Sequence, residues 1–77
     1  MTVIPLRTLE DLHDAYTAAA AGFRADPRPE RIGPTLDAFR RFHRLAFPTF
    51  DTEAAVRECR QRMWAEIAKH QDEGSVA

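Results

Sequence analysis

The sequence predicts an all-α fold, with three helices in one small domain. Apolar residues recur at spacings of three and four in three separate stretches, which is typical of amphipathic helices. Each stretch is bounded by residues that start or stop helices, and 77 residues are enough for one domain only. We predict helices at roughly residues 9–25, 34–46 and 52–72, an extended arm at 1–7 and a frayed tail at 73–77.

The first predicted helix has a capping pattern at its start and a proline after its end. Thr8 is a good N-cap residue, and Asp11 follows three positions later. Pro27 disfavours helix at Asp26, so the helix should end by about residue 25. One apolar stripe comprises Leu9, Leu12, Tyr16, Ala19 and Phe23. A strip of small residues beside it, which lets another helix approach closely, comprises Ala15, Ala18 and Gly22.

The second predicted helix should be the central one, because apolar residues cover more than half of its circumference. It begins at Pro34, a residue favoured in the first turn, and ends before Pro48. Its apolar arc comprises Leu36, Phe39, Phe42, His43, Leu45, Ala46 and Phe47. An arc this wide indicates contact with two neighbouring helices. In the loop before it, Ile32 should anchor to the core, and Arg28 and Arg31 should be solvated.

The third predicted helix begins at Asp51 or Thr52, both good caps. Its apolar face comprises Val56, Cys59, Met63, Ile67 and His70. From the three helices together we expect six side chains to be mutually buried, namely Leu12, Tyr16, Phe39, Phe42, Met63 and Ile67. Cys59 lies on the apolar face of the third helix, so it should be a buried, unreactive thiol.

Composition and motifs argue against several classes of function. The formal net charge is −1, which disfavours a general electrostatic attraction to nucleic acid or to an anionic membrane. A lone cysteine and the lack of a signal-peptide pattern indicate a cytoplasmic protein without membrane contact. No catalytic or cofactor motif is found, so we expect no enzyme activity, no catalytic residues and no cofactor.

The histidines raise the question of a metal site. Glu10 and His13 have the E-x-x-H spacing of di-iron helical bundles, and Glu66 lies one turn before His70. A carboxylate-bridged site needs four helices, and this short pattern is weak. We therefore expect no metal site, and we expect His43 to be a hydrogen-bonded core histidine.

Two surface features are candidates for binding. Arg40, Arg41 and Arg44 lie on one face of the second helix and would suit phosphates of nucleic acid. On the third helix Trp64 lies between the apolar face and a group of residues that comprises Arg57, Arg60 and Ala68. Tryptophan and arginine are enriched in the energetically dominant contacts of protein interfaces.

We predict a non-catalytic, bacterial-type accessory or regulatory protein. It would bind another protein through Arg57, Arg60, Trp64 and Ala68, most simply as a homodimer. Val3, Ile4 and Leu6 of the arm should fold over the helices of their own chain, and the alternative is that they cross to the second copy. The alternative is a small nucleic-acid-binding regulator that uses Arg40, Arg41 and Arg44.

Overall fold

The computed structural model describes residues 6–75, and this part of the chain consists of three α-helices and one short turn of 3₁₀ helix. Helix α1 covers Leu6–Ala25, α2 covers Ile32–Ala46 and α3 covers Thr52–Ser75. The 3₁₀ turn, Pro29–Arg31, leads into α2. The predicted all-α, three-helix fold is therefore confirmed, and no strand occurs in residues 6–75.

The ends of the helices differ from the prediction by a few residues. Helix α1 begins at Leu6, so Thr8 lies inside its first turn and is not its N-cap. Helix α2 begins at Ile32, and Pro34 is its third residue, where the missing N–H would have no partner within the helix anyway. Asp51 is the cap of α3, since its Oδ1 accepts a hydrogen bond from Ala54 N at 3.1 Å. The predicted arm lies outside the described residues, apart from Leu6 and Arg7 in α1.

The hydrophobic core is small and draws on all three helices. Its buried side chains are Phe23, Ile32, Leu36, Val56, Met63 and Ile67. They meet where the end of α1, the beginning of α2 and the middle of α3 come together. Ile32 is 6% exposed and anchors the loop as predicted. Thr35 is buried beside them, and its Oγ1 donates to Arg31 O at 2.7 Å and approaches Ala19 O at 3.4 Å.

The expected burial of six side chains from three helices is wrong for four of them. Met63 and Ile67 are buried, but the other four are only half-buried, namely Leu12, Tyr16, Phe39 and Phe42. The reason is the arrangement of the helices. Helix α2 packs against both α1 and α3, whereas α1 and α3 scarcely touch each other. Side chains of α1 and α2 beyond the core therefore have no third helix to cover them.

The open arrangement also gives the molecule an elongated shape. Its Cα radius of gyration is 14.6 Å, compared with about 11.5 Å for a compact domain of this length. The principal extents are 58 × 22 × 14 Å. Within the described part of the chain, no helix combines the length and the apolar character needed to cross a bilayer.

Candidate partner-binding surface

The residues that the sequence suggested for partner binding lie together on one side of α3. Arg57, Arg60, Trp64 and Ala68 are spaced by three or four positions and all are exposed. We call these four residues the α3 strip. It lies beside the core-facing side chains of the same helix, so Trp64 is half covered and remains 50% exposed.

The charged groups of the α3 strip have no partners within residues 6–75. Neither Arg57 nor Arg60 forms an ion pair there, and Trp64 makes no ring or cation–π contact. Arg60 and Trp64 lie one turn apart on the same side of α3, and the Arg60 guanidinium does not stack on the indole. Both arginines are available to carboxylates of another molecule without loss of an internal ion pair.

A second exposed apolar surface lies where the chain turns between α2 and α3. Phe47 is 44% exposed and Phe50 is 65% exposed, with ring centroids 5.7 Å apart. His43 contacts the Phe47 ring at 5.3 Å, and its Nδ1 lies 3.0 Å from Thr52 Oγ1. This half-buried, hydrogen-bonded position is close to the one predicted for His43. We call Phe47 and Phe50 the aromatic corner.

The exposure of the aromatic corner was not anticipated from the sequence. The apolar arc predicted for the second helix includes Phe47, which lies one residue beyond the predicted end of that helix, and the structure places Phe47 outside α2, which ends at Ala46. The signal was present in Pro48, which must end a helix nearby and leaves the two flanking phenylalanines on a turn.

The basic face of α2 is partly neutralised by acidic neighbours. Arg40 Nε lies 3.0 Å from Glu53 Oε1, and Arg40 Nη1 lies 3.4 Å from Asp37 Oδ1. Arg44 also reaches Glu53, at 3.4 Å. Arg41 is exposed and has no ion pair among the described residues. The three arginines share one face as predicted, but two of them already have carboxylate partners.

The arginines of the loop before α2 are occupied in a similar way. Asp26 Oδ2 lies 2.8 Å from Arg28 Nε and 3.8 Å from Arg31 Nη2. Both side chains are substantially exposed, and such surface pairs contribute little to stability. These two ion pairs connect residues within the loop, and they form no cluster of charges that faces a cleft.

An open groove separates α1 from α3. It has a volume of about 340 Å³, and its lining includes Phe23, Met63, Arg24, Arg62 and Glu66. Because Phe23 and Met63 are buried and the three charged residues are exposed, the groove has an apolar base and charged rims. Arg24 lies on the α1 side, and Arg62 and Glu66 lie on the α3 side.

Cys59 also lines this groove and is half-buried. Burial raises the pKa of the Cys59 thiol, and the positive charge of Arg62 offsets part of that rise. A raised pKa reduces the thiolate fraction near neutral pH, and the thiolate is the nucleophilic form. This environment fits a structural thiol rather than a nucleophile.

The histidines and acids do not assemble into a metal-binding group in the part of the chain that the structure describes. His13 contacts the Phe42 ring edge at 5.2 Å and lies 4.0 Å from Asp14. The E-x-x-H pair of α1 thus lies beside an aromatic side chain and the exposed Asp14, and these residues do not converge into a group that could hold a metal ion.

Comparisons with other proteins add no relative, since no protein-family profile, curated protein or solved structure matches the chain.

Proposed function

We propose that the chain acts without catalysis, by binding another protein chain as an accessory or regulatory subunit. The observation that carries the proposal is the exposure of three large apolar side chains. Trp64, Phe47 and Phe50 are 50%, 44% and 65% exposed, although the chain has few large apolar residues to fill its own core. Burial of apolar area is the main favourable term in protein association.

The amount of exposed surface supports the same conclusion. The accessible surface is 5870 Å², compared with about 4,800 Å² for a compact monomer of this size. The difference, about 1,000 Å², exceeds the area of about 800 Å² that each partner buries in a standard interface. Association would thus give this chain the compactness that its three helices do not reach alone.

The α3 strip is the surface that we assign to the partner, which is a second copy or a different protein. Trp64 offers a large, rigid contact, and such residues dominate interface energetics when surrounded by groups that exclude water. Arg57 and Arg60 flank it without internal ion pairs. The strip therefore suits a partner with an apolar pocket for the indole and carboxylates at its edge.

Site-specific photo-crosslinking tests this assignment. A photoreactive phenylalanine replaces Trp64 in cells that express the chain, and a matched variant carries it at Ala65, which is exposed but about 100° further around α3. We expect a discrete adduct from position 64 and much less from position 65. Mass spectrometry of the adduct identifies the partner. Equal labelling at both positions, or none at position 64, would contradict the assignment.

Nucleic-acid binding through Arg40, Arg41 and Arg44 is a second candidate, supported by their common face on α2. Because Glu53 and Asp37 compete for two of these arginines, we expect no retarded band when the wild type is mixed with duplex DNA at about 0.15 M salt. A band that is lost when all three arginines are replaced by Gln would favour this candidate instead.

A further inference from the structure

One side of α1 borders the groove and carries opposite charges towards its two ends. Glu10, His13, Thr17, Ala20 and Arg24 are spaced by three or four positions, so they share one side of the helix. We call these five residues the α1 stripe. Ala20 and Arg24 line the groove, so the second half of the stripe borders it.

The two ends of the α1 stripe lie at equal distances from its centre and carry opposite charges. Glu10 and Arg24 each lie seven positions from Thr17. Both are exposed, and neither forms an ion pair within residues 6–75. Thr17 and Ala20, near the centre, are small enough for another backbone to come close.

The groove is an open space between α1 and α3. Helices α1 and α3 both pack on α2 and scarcely touch each other, so the space above α2 is flanked by helices on two sides. Its base is apolar at Phe23 and Met63, and Arg24 places a positive charge on the α1 rim. On the α3 rim Arg62 is already paired with Glu58, with 3.2 Å between Nη2 and Oε1. An amphipathic helix that brings an acidic residue opposite Arg24 fits this combination.

We propose that the groove binds α1 of a second copy, antiparallel to the resident α1, with a two-fold axis near Thr17. This arrangement places Glu10 of each copy opposite Arg24 of the other. A parallel arrangement would instead place like charges together at both ends, so charge selects the antiparallel one. The same surface is used twice, as a two-fold axis requires.

The acidic first half of α1 extends this complementarity. Residues 7–14 contain three acids and one arginine, and in the antiparallel dimer Glu10, the acid that belongs to the α1 stripe, approaches Arg24 of the other copy. Leu9 is half-buried in the single chain and lies on the same half of the helix, where it adds apolar area next to the groove. Glu66 lies on the same rim as Arg62 and offsets its charge, so Arg24 is the cation of the groove that remains for Glu10 of the other copy.

The proposed dimer goes beyond the binding function of the α3 strip because it uses a different surface. At 100° per residue, Trp64 lies about 160° around α3 from both Arg62 and Glu66. A dimer formed through the groove therefore leaves both copies of the α3 strip exposed to a further protein.

A charge-swap experiment tests the dimer, with sedimentation equilibrium as the readout. Glu10→Arg and Arg24→Glu should each weaken the homodimer by about tenfold or more, because two opposite-charge contacts become like-charge contacts. An equimolar mixture of the two variants should form a heterodimer, in which both contacts pair opposite charges again. The double variant should likewise recover the homodimer. Circular dichroism verifies that these exposed substitutions leave the helices intact.

Two matched controls separate the groove from other surfaces. Asp11→Arg makes the same charge change one residue from Glu10 on another side of α1 and should weaken the dimer much less. Trp64, the only tryptophan, should keep the same fluorescence emission in monomer and dimer.

Several outcomes would overturn the proposal. They are a wild type that remains monomeric at high micromolar concentration, single variants that do not recover when mixed, and an equal effect of Asp11→Arg. A blue shift of Trp64 emission on dimerisation would show that the interface lies at the α3 strip and not in the groove. None of these outcomes depends on the crosslinking result at position 64, so failure of the groove dimer and failure of the proposed function remain distinguishable.

Discussion

Replacing Leu36 with alanine should destabilise the domain more than replacing the larger Phe42. Leu36 is 3% exposed and belongs to the buried cluster where the three helices meet. Phe42 is half-buried and contacts Tyr16 and His13 at the uncovered side of α1 and α2. Hydrophobic size alone predicts the reverse order, so the comparison tests the location of the core.

The burial of each side chain determines how much stability its replacement should cost. Leu36→Ala opens a closed cavity, and such changes lower the free energy of unfolding by about 3–4 kcal/mol. Phe42→Ala removes a side chain of which much is already in water and leaves no closed cavity, so we expect about half of the usual cost, roughly 2 kcal/mol. The total stability of a 77-residue domain is about 4–12 kcal/mol. Leu36→Ala should therefore lower Tm by about 12–32 °C.

Urea denaturation followed by far-UV circular dichroism measures both changes, with thermal unfolding as a second readout. Protein concentration must be equal in all samples, because a dimer makes Tm depend on concentration. A Phe42→Ala protein that loses as much stability as Leu36→Ala, or more, would show that the side chains of α1 and α2 beyond the core are covered in solution. The reasoning about the open groove would then be wrong.

Three further predictions concern individual groups. Asp51→Ala removes the cap of α3 and should lower the free energy of unfolding by about 1 kcal/mol in urea titration, whereas Asp51→Asn should cost less. Thr35→Val keeps the shape of the side chain but removes the hydroxyl donor, and calorimetry should show a loss of about 1 kcal/mol. Burial raises the pKa of Cys59 in the folded chain, so unfolding favours the thiolate and stability should fall as the pH rises above the ordinary thiol pKa. This fall should be smaller in Cys59→Ala, and an identical pH profile for the two proteins would contradict the burial of the thiol.

The helices were predictable from sequence because their signals are local. Apolar spacing, Asp51 and the prolines that follow α1 and α2 lie within a few residues of the features that they determine. Thr8 shows the limit of such signals, since α1 continues past it to Leu6. A capping residue favours a helix start but cannot prevent the helix from extending where the preceding residues also tolerate it.

The degree of burial was less predictable because it depends on which helices touch. A helical wheel places Tyr16 and Phe39 on inward-facing sides, and their rings do meet, with centroids 5.3 Å apart. It does not show that α3 leaves both side chains only partly covered, with Tyr16 lining the open groove and Phe39 packed at the edge of the core. The candidate site could be predicted only in part, for the same reason. The sequence shows the spacing of the α3 strip. It does not show the groove, which arises only from the arrangement of the three helices.

The position of α2 between two helices that scarcely touch has a consequence for hydrogen exchange. Its amides are protected by contacts on both sides, so they should exchange with solvent only when the whole domain opens. Amides near residues 7–11 of α1 and 68–72 of α3, where nearly every side chain is exposed, should exchange through local opening at much lower free energy. A molecule that binds in the groove or on the α3 strip would slow exchange at its own helix first. It would slow exchange at α2 only to the extent that it stabilises the domain as a whole.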